Sequence, residues 1–360
     1  MRRTIYAFIG VCLAFLSSGC SRSTDVRSDD LPFLVNLDLS VALSDIAVPR
    51  SRVSPDAAPA NDDEKMQTLR IVVVRPDGTV EANRFIKPSA ALVFDHMERF
   101  KVRGREKKNV YLFVNEGNTF VEKADGTSVV PGGKLSEYLT ALEEGAPFPT
   151  DEVASLVVRL EGDSAQLSGA LPMNERHEIE VGEKDCTFEL FVTRAAVKFT
   201  YRLTNQGDRD LVLTGLTIDK MARKEYYLPH GAVYEENEDG IREIVQYDAV
   251  PADYYTFVYA DEAIPDVGIA LPHGKTVELP AIYLLEGKSA DPYATTLSIN
   301  GIEQRKTFPV LPQLPRNTHV VVNARIRREN ATVEWQVDVV PYGLVPSPYD
   351  EEELSPGFGI

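Results

Sequence analysis

Apolar and polar side chains alternate without a break from Val35 to Leu43. Val35, Leu37, Leu39, Val41 and Leu43 hold one parity, and Asn36, Asp38, Ser40 and Ala42 the other. A period of two sustained this long predicts a half-buried β-strand, with one row for a core and one for solvent. Thr68–Val74 (TLRIVVV) and Thr79–Ile86 flank Arg75-Pro76-Asp77-Gly78, which predicts a hairpin with Pro and Gly where a type I or II turn wants them. Val110–Val114 reads as a fully buried strand and Ala154–Leu160 as another. A single helix is expected over Lys134–Gly145, where Leu135, Tyr138, Leu139 and Leu142 follow the i, i+3, i+4, i+7 spacing and Gly145 occupies a C′ position. Thr187–Leu203 is long and β-rich, and is expected to pass from one domain into the next. Leu211–Ile218, Tyr254–Tyr259, Thr276–Leu285, Thr295–Ile299, Val320–Arg325 and Thr332–Val340 continue the β pattern. In the last of these, Trp335 falls on the same parity as Val333, Val337 and Val339 and is expected in a core. The fold class predicted is all-β, with two β-sandwich domains in tandem and one short helix in the N-terminal domain.

The strand at Val35 stands in a particular setting. Residues 1–19 have Arg2 and Arg3, an apolar run from Ile5 to Leu16, then Ser17, Ser18 and Gly19 before Cys20. The run is too short for a membrane span and predicts a secretory signal. Small residues ahead of Cys20 resemble a bacterial lipobox, with Ser17 where Leu is usual; an ordinary cleaved signal with an incidental cysteine is the other reading. Behind the strand come Pro49-Arg50-Ser51-Arg52 and then Val53–Asp63, rich in Pro, Ala and Asp, an expected exposed loop. Arg50 and Arg52 there are expected to be open to an arginine-specific protease; a first strand followed by a loop, with arginines there by chance, is the other reading. The expected organisation is a signal at 1–19, a lipidated propeptide with the first strand at 20–52, sandwiches at 53–195 and 196–341, and a tail at 342–360.

Composition narrows the function. A formal net charge of -17 argues against nucleic acid as a partner, since a phosphate-binding surface needs clustered Lys and Arg. The one basic run, Lys101–Lys108 (KVRGREKK), reads as a solvated loop. Of three cysteines, Cys12 lies in the signal and Cys20 is the lipidation candidate, so Cys186 is left alone and no intramolecular disulfide is expected. Stability must then rest on burial and strand pairing, and possession of each strand matters.

Catalytic patterns are missing. His96, His177, His230, His273 and His319 are far apart, and there is no nucleophile elbow, Walker loop or dinucleotide fingerprint. Glu235–Gly240 has oxygen side chains in calcium-loop positions, but Gln246 stands where a bidentate Glu belongs, so an acidic turn is the better reading. No catalytic residue, metal or cofactor is expected, and the protein is not expected to be an enzyme.

Four features together resemble the fimbrillins, subunits of type V pili. They are the N-terminal order of lipobox, alternating strand and arginine-bearing loop; the hairpin Leu69–Phe85; Leu171-Pro172-Met173 with Thr193-Arg194-Ala195-Ala196-Val197-Lys198, similar to the family's "PM" turn and R-x-x-A-K strand with one residue displaced; and Pro315-Arg316-Asn317-Thr318-His319 leading into Val320–Ile326. The resemblance implies an outer-membrane lipoprotein precursor anchored through Cys20. A surface arginine-specific protease would cut it at Arg50 or Arg52, and it would then be assembled with other fimbrial subunits into an extracellular fimbrium supporting adhesion and biofilm. Val35, Leu37, Leu39, Val41 and Leu43 would be the displaced strand. Leu354, Phe358 and Ile360 would be donor contacts of the tail, although Asp350–Glu353 puts charge on both faces of that segment. Two alternatives stay open: a fimbrial tip subunit, which accepts a strand without donating one, and a non-polymerising surface lipoprotein that binds a glycan or protein ligand.

Overall fold

The structure is a computed structural model. It describes residues 33–43, 61–88, 95–230, 233–236, 242–246, 253–260, 264, 267–286, 293–308, 316–327 and 332–340. Its N-terminal elements are β1 (Leu34–Leu43), β2 (Leu69–Val74), β3 (Val80–Ile86), β4 (Asp95–Arg103), β5 (Glu106–Val114), β6 (Glu122–Lys123), α1 (Leu135–Thr140), α2 (Thr150–Ala154), β7 (Leu156–Arg159), β8 (Met173–Val181) and β9 (Cys186–Arg194). Strands pair in the order β3-β2-β5-β8-β9-β1-β4. At one point this path barely holds, because β8 and β9 share only the pairs Met173↔Arg194 and Asn174↔Thr193. The chain folds at that corner into two layers, β3-β2-β5-β8 against β9-β1-β4. Leu37, Leu39, Val41, Ile71, Val73, Phe100, Leu112 and Leu190 pack between them.

The outer face of β2 and β5 is covered as well. Val72, Val74, Tyr111 and Phe113 meet Leu135, Leu139, Val153 and Leu156 in a second core, which explains why both strands read as unbroken apolar runs. The β2–β3 hairpin forms as expected: the Gly78 amide donates to the Arg75 carbonyl, Gly78 takes φ +81°, and a one-residue bulge lies at Val73/Val74.

The helix prediction needs correction. Among the described residues two short α-helices are present, and α1 stops at Thr140, well before Gly145. Asn83 Nδ2 donates to the carbonyls of Leu139 and Leu142, satisfying the helix end early. Gly145 instead runs beside β3, its amide donating to the Val80 carbonyl. The second helix, α2, takes the start of the expected strand Ala154–Leu160, leaving β7 shorter. The basic run Lys101–Lys108 is not a solvated loop but the β4–β5 hairpin. The Lys108 ammonium is fully buried there, donating to Glu81 and Glu106.

The β-rich stretch Thr187–Leu203 is divided at Ala195-Ala196 between β9 and β10 (Val197–Asn205), and β10 belongs to a different sheet, one of a further pair. One of these orders Thr276–Glu278, β10, Thr318–Ile326 and Val333–Val340, with Ile282–Leu284 also on β10. The facing sheet orders Tyr254–Val258, Leu211–Ala222, Ala294–Ile299 and Ile302–Thr307. Tyr201, Phe199, Leu216, Phe257, Leu297 and Val322 fill the space between, with Trp335 packed at its side. Pro280 interrupts the strand expected over Thr276–Leu285, since it cannot donate to a ladder. The whole is an all-β, sandwich-type fold.

Candidate functional site: a sealed strand groove and the node beside it

β1 is the middle strand of its layer. It runs antiparallel to β4 over Leu34↔Arg103 to Ala42↔Asp95, and parallel to β9 over Leu37↔Cys186 to Leu43↔Val192. Among the described residues β4 pairs with no other strand, and β9 otherwise touches only the corner of β8. Without β1, a slot would open between two strands whose facing backbone groups are then unpaired. Val35, Leu37, Leu39, Val41 and Leu43 are each at most 5% exposed and line up in the core, so the five residues singled out from the alternation form one continuous row.

The outward row is held by charge. Arg99 lies directly opposite Asp38 and donates Nε and a terminal nitrogen to its two carboxylate oxygens at 2.7 and 2.8 Å. On the other flank Asp185, just before β9, accepts the Asn36 backbone amide at 2.8 Å and its Nδ2 at 2.7 Å. One end of the slot is closed by Gly104 in the β4–β5 turn. Its amide donates to the Phe33 carbonyl, and a Cβ placed there would sit 2.5 Å from the Gly182 carbonyl oxygen.

Arg99 beside Asp38, and the Asn36 donors beside Asp185, hold both carboxyls below the ordinary aspartate value of 3.8. Such groups contribute stability that is fully present above the unfolded pKa and lost as pH falls through the depressed, folded one. Seating of β1 is therefore expected to weaken as pH drops below about 3.8, and Asp38→Asn should flatten that dependence. The off-rate of β1 from protein nicked in the following loop, measured against pH, checks this. An identical profile for Asp38→Asn would remove Asp38 from the account.

The lone Cys186 lies on β9 beside Leu37 and is half-buried. Burial, with Asp185 and Asp38 adding to it, pushes its thiol up from 9.0. Asp38 belongs to the seated strand, and Leu37 of that strand is paired beside the thiol, so the thiol reports whether the groove is filled.

A second feature was not legible in the sequence. Asn61–Lys65, where the described chain resumes after β1, carries Glu64, which is completely buried. Lys198 donates to its Oε1 at 2.7 Å and the Tyr283 hydroxyl to the same oxygen at 2.8 Å, while Asn61 Nδ2 donates to that hydroxyl. Arg194 reaches the Glu64 carbonyl and Asn317 Oδ1. Nearby, Arg316 donates to Glu286, Asn174 Oδ1 and the carbonyls of Tyr226 and Tyr227. Arg194, Lys198, Arg316 and Asn317 stood out in sequence only as parts of the family resemblance. The fold gathers Arg194 and Lys198 around Glu64, with Asn317 held by Arg194, and sets Arg316 in a separate buried cluster.

Cys20, Arg50, Arg52, Leu354, Phe358 and Ile360 lie outside the described residues. The histidines do not converge. His96 faces Glu98, His177 the Phe191 carbonyl and His319 the Thr200 hydroxyl, and His230 stacks on Tyr226. Among the described residues no three His, Cys, Asp or Glu side chains are grouped as a metal site needs. Glu235 and Glu236 end a strand paired with Arg242–Gln246, and residues 237–241 lie outside the described residues.

No family model and no curated protein matches the chain. Among solved structures, the tip fimbrial protein Mfa3 from Porphyromonas gingivalis, with C-terminal truncation, is similar at a TM-score of 0.53 and 9% identity, over 85% of this chain and 99% of that one. A fimbrial assembly protein from Parabacteroides distasonis ATCC 8503 aligns at a TM-score of 0.45 and 9% identity, over 86% of this chain and 99% of that one. At such identities the likeness is one of fold. The chain has the all-β fold of the tip fimbrial protein Mfa3.

Proposed function

We propose that the chain is a structural subunit of a surface fimbrium, built of units 53–195 and 196–341. In this reading it is exported as a precursor lipidated at Cys20, cut by an arginine-specific protease after Arg50 or Arg52, and assembled by β-strand exchange to support adhesion. The observation that carries the reading is β1 itself. It is the middle strand of its layer, fills its slot with five apolar side chains, and is followed in sequence by Arg50 and Arg52. Cutting the chain there turns an intramolecular strand into a bound peptide, and the slot it leaves is a sheet edge on both sides that seeks a strand. The clamp at Glu64 keeps the remaining chain in place while β1 leaves.

The tip-subunit form of this reading is favoured by the tail. Asp350–Glu353 would bury carboxylates if that segment were donated as an alternating strand. The fold shared with a tip fimbrial protein agrees with this.

Trypsin on the soluble precursor from residue 20, with Cys20→Ser so that Cys186 is the only thiol, tests the proposal. The expected result is one clean cut after Arg50 or Arg52, followed by release of β1, with a marked rise in the maleimide labelling rate of Cys186 while the groove is empty. SDS-resistant ladders would add the ability to donate a strand. Scattered cuts, or a cut strand that a competitor never displaces, would leave a non-polymerising surface lipoprotein as the better account.

A further inference from the structure

The apolar row of β1 cannot define its own register. Val35, Leu37, Leu39, Val41 and Leu43 are nearly interchangeable, so a slide by two residues keeps every apolar side chain facing the core. Two things break this degeneracy: a slide in one direction would bring Asp45 into the buried place of Leu43, and a slide in either direction is opposed by the outward row. There a donor at position 36 faces Asp185 and a carboxylate at position 38 faces Arg99. A two-residue slide in one direction sets Asp38 against Asp185, carboxylate to carboxylate. The opposite slide sets the Asn36 amide against Arg99 and takes Asp38 away from it. Ser40, opposite Met97, and Ala42, opposite Asp95, carry no charge that could compensate.

The geometry points to Arg99 and Asp185 as the residues that select and register any strand occupying this groove. The partner they fit is a strand of another fimbrial subunit, with apolar residues at alternate inward positions, a carboxylate outward opposite Arg99, and a hydrogen-bond donor two residues before it. This inference rests on the strand-exchange reading and adds its specificity. Arg99 is well placed to discriminate: its guanidinium is fixed by a two-pronged bond yet 70% exposed, so it meets an incoming strand early. A lysine or arginine in the outward position would face it with like charge.

The chain's own tail meets this requirement only in part. Glu353-Leu354-Ser355 repeats the pattern Asp38-Leu39-Ser40. With Glu353 opposite Arg99 and the tail running as β1 runs, however, Glu352 would fall in the slot of Leu37 and Pro356 in that of Val41. A carboxylate in the core and a missing ladder donor both oppose that docking. In that register the tail is a poor occupant, and the occupant this groove fits is a strand from a different subunit.

The test uses precursor with an engineered protease site within residues 53–60, cut and stripped of β1 in denaturant. The remainder is refolded with fluorescein-labelled peptide 33–43. Relative to that peptide, Asp38→Asn is expected to bind about threefold to fivefold more weakly and Asp38→Lys at least about tenfold more weakly. The Asp38→Lys peptide should recover on protein carrying Arg99→Glu, and the gap between the unaltered and Asp38→Asn peptides should shrink at high salt. Equal binding by all three peptides, or no recovery on Arg99→Glu, would overturn the selecting role. A tail peptide 350–360 binding as tightly as 33–43 would overturn the choice of occupant. Failure of the unaltered peptide to bind at all would sink strand exchange itself, a result distinct from loss of discrimination.

Discussion

Replacing Arg50 and Arg52 together by alanine is expected to leave precursor that never polymerises and stays anchored through Cys20. The reason lies in the energetics of β1. Its five buried side chains, at about 1.5–3 kcal/mol each, hold the strand by roughly 10 kcal/mol before the entropy of ordering it is counted. While the loop is intact, β1 also returns to its slot at an effective concentration of about the millimolar range or more, so a rival strand with similar contacts cannot compete. In the proposed mechanism, cleavage leaves the contacts unchanged and removes the tether, which would convert a closed fold into one open to exchange. The measurement is gel mobility without boiling, together with surface retention of the double variant in cells. Normal ladders from Arg50→Ala/Arg52→Ala would refute processing at this loop. Ladders lost from only one single variant would identify the arginine used.

Removing the carboxylate of Glu64 is expected to cost the molecule much of its stability. Glu64 is fully buried, and Lys198, its partner, is nearly so. Deleting one member of a buried, hydrogen-bonded ion pair costs about 3–5 kcal/mol. Glu64→Ala should therefore shift the denaturant midpoint strongly downward. Glu64→Leu combined with Lys198→Met should recover much of the loss, because an apolar pair of similar volume needs no compensation. The node has a further consequence: Glu64 sits where the described chain resumes after β1, so loosening it should let trypsin reach beyond the loop, towards Lys65 and Arg70. Limited proteolysis followed by intact mass would read this directly. A stable Glu64→Ala variant with an unchanged cleavage map would show that the clamp is not needed.

These two effects differ in how far they could be read from the chain. The alternation at Val35–Leu43 determined β1 and its inward row, because a period of two leaves no other regular structure in which five apolar side chains share a face. The apolar runs of β2 and β5 and the Pro-Asp-Gly turn were equally plain. Other strands were hidden by their surroundings. In β4, Phe100 and Val102 stand among charged residues and beside an exposed Met97; in β8, Ile179 and Val181 follow Asn174, Glu175 and Arg176. Both strands have one polar face, and a short run of that kind looks like a loop until a neighbour pairs with it.

The sequence by itself determined the all-β class, the strand that fills the groove and the order of strand and arginine-bearing loop, because these depend on patterns within a few residues. The tertiary structure alone decided that β1 lies between β9 and β4, that Arg99 and Asp185 flank its outward row, and that Glu64 meets Lys198 and Tyr283. Those contacts join residues more than a hundred positions apart, or strands whose partners no local period specifies. A buried charge carries no mark in the sequence that distinguishes it from a solvated one; only its partner, brought from elsewhere by the fold, makes its burial affordable.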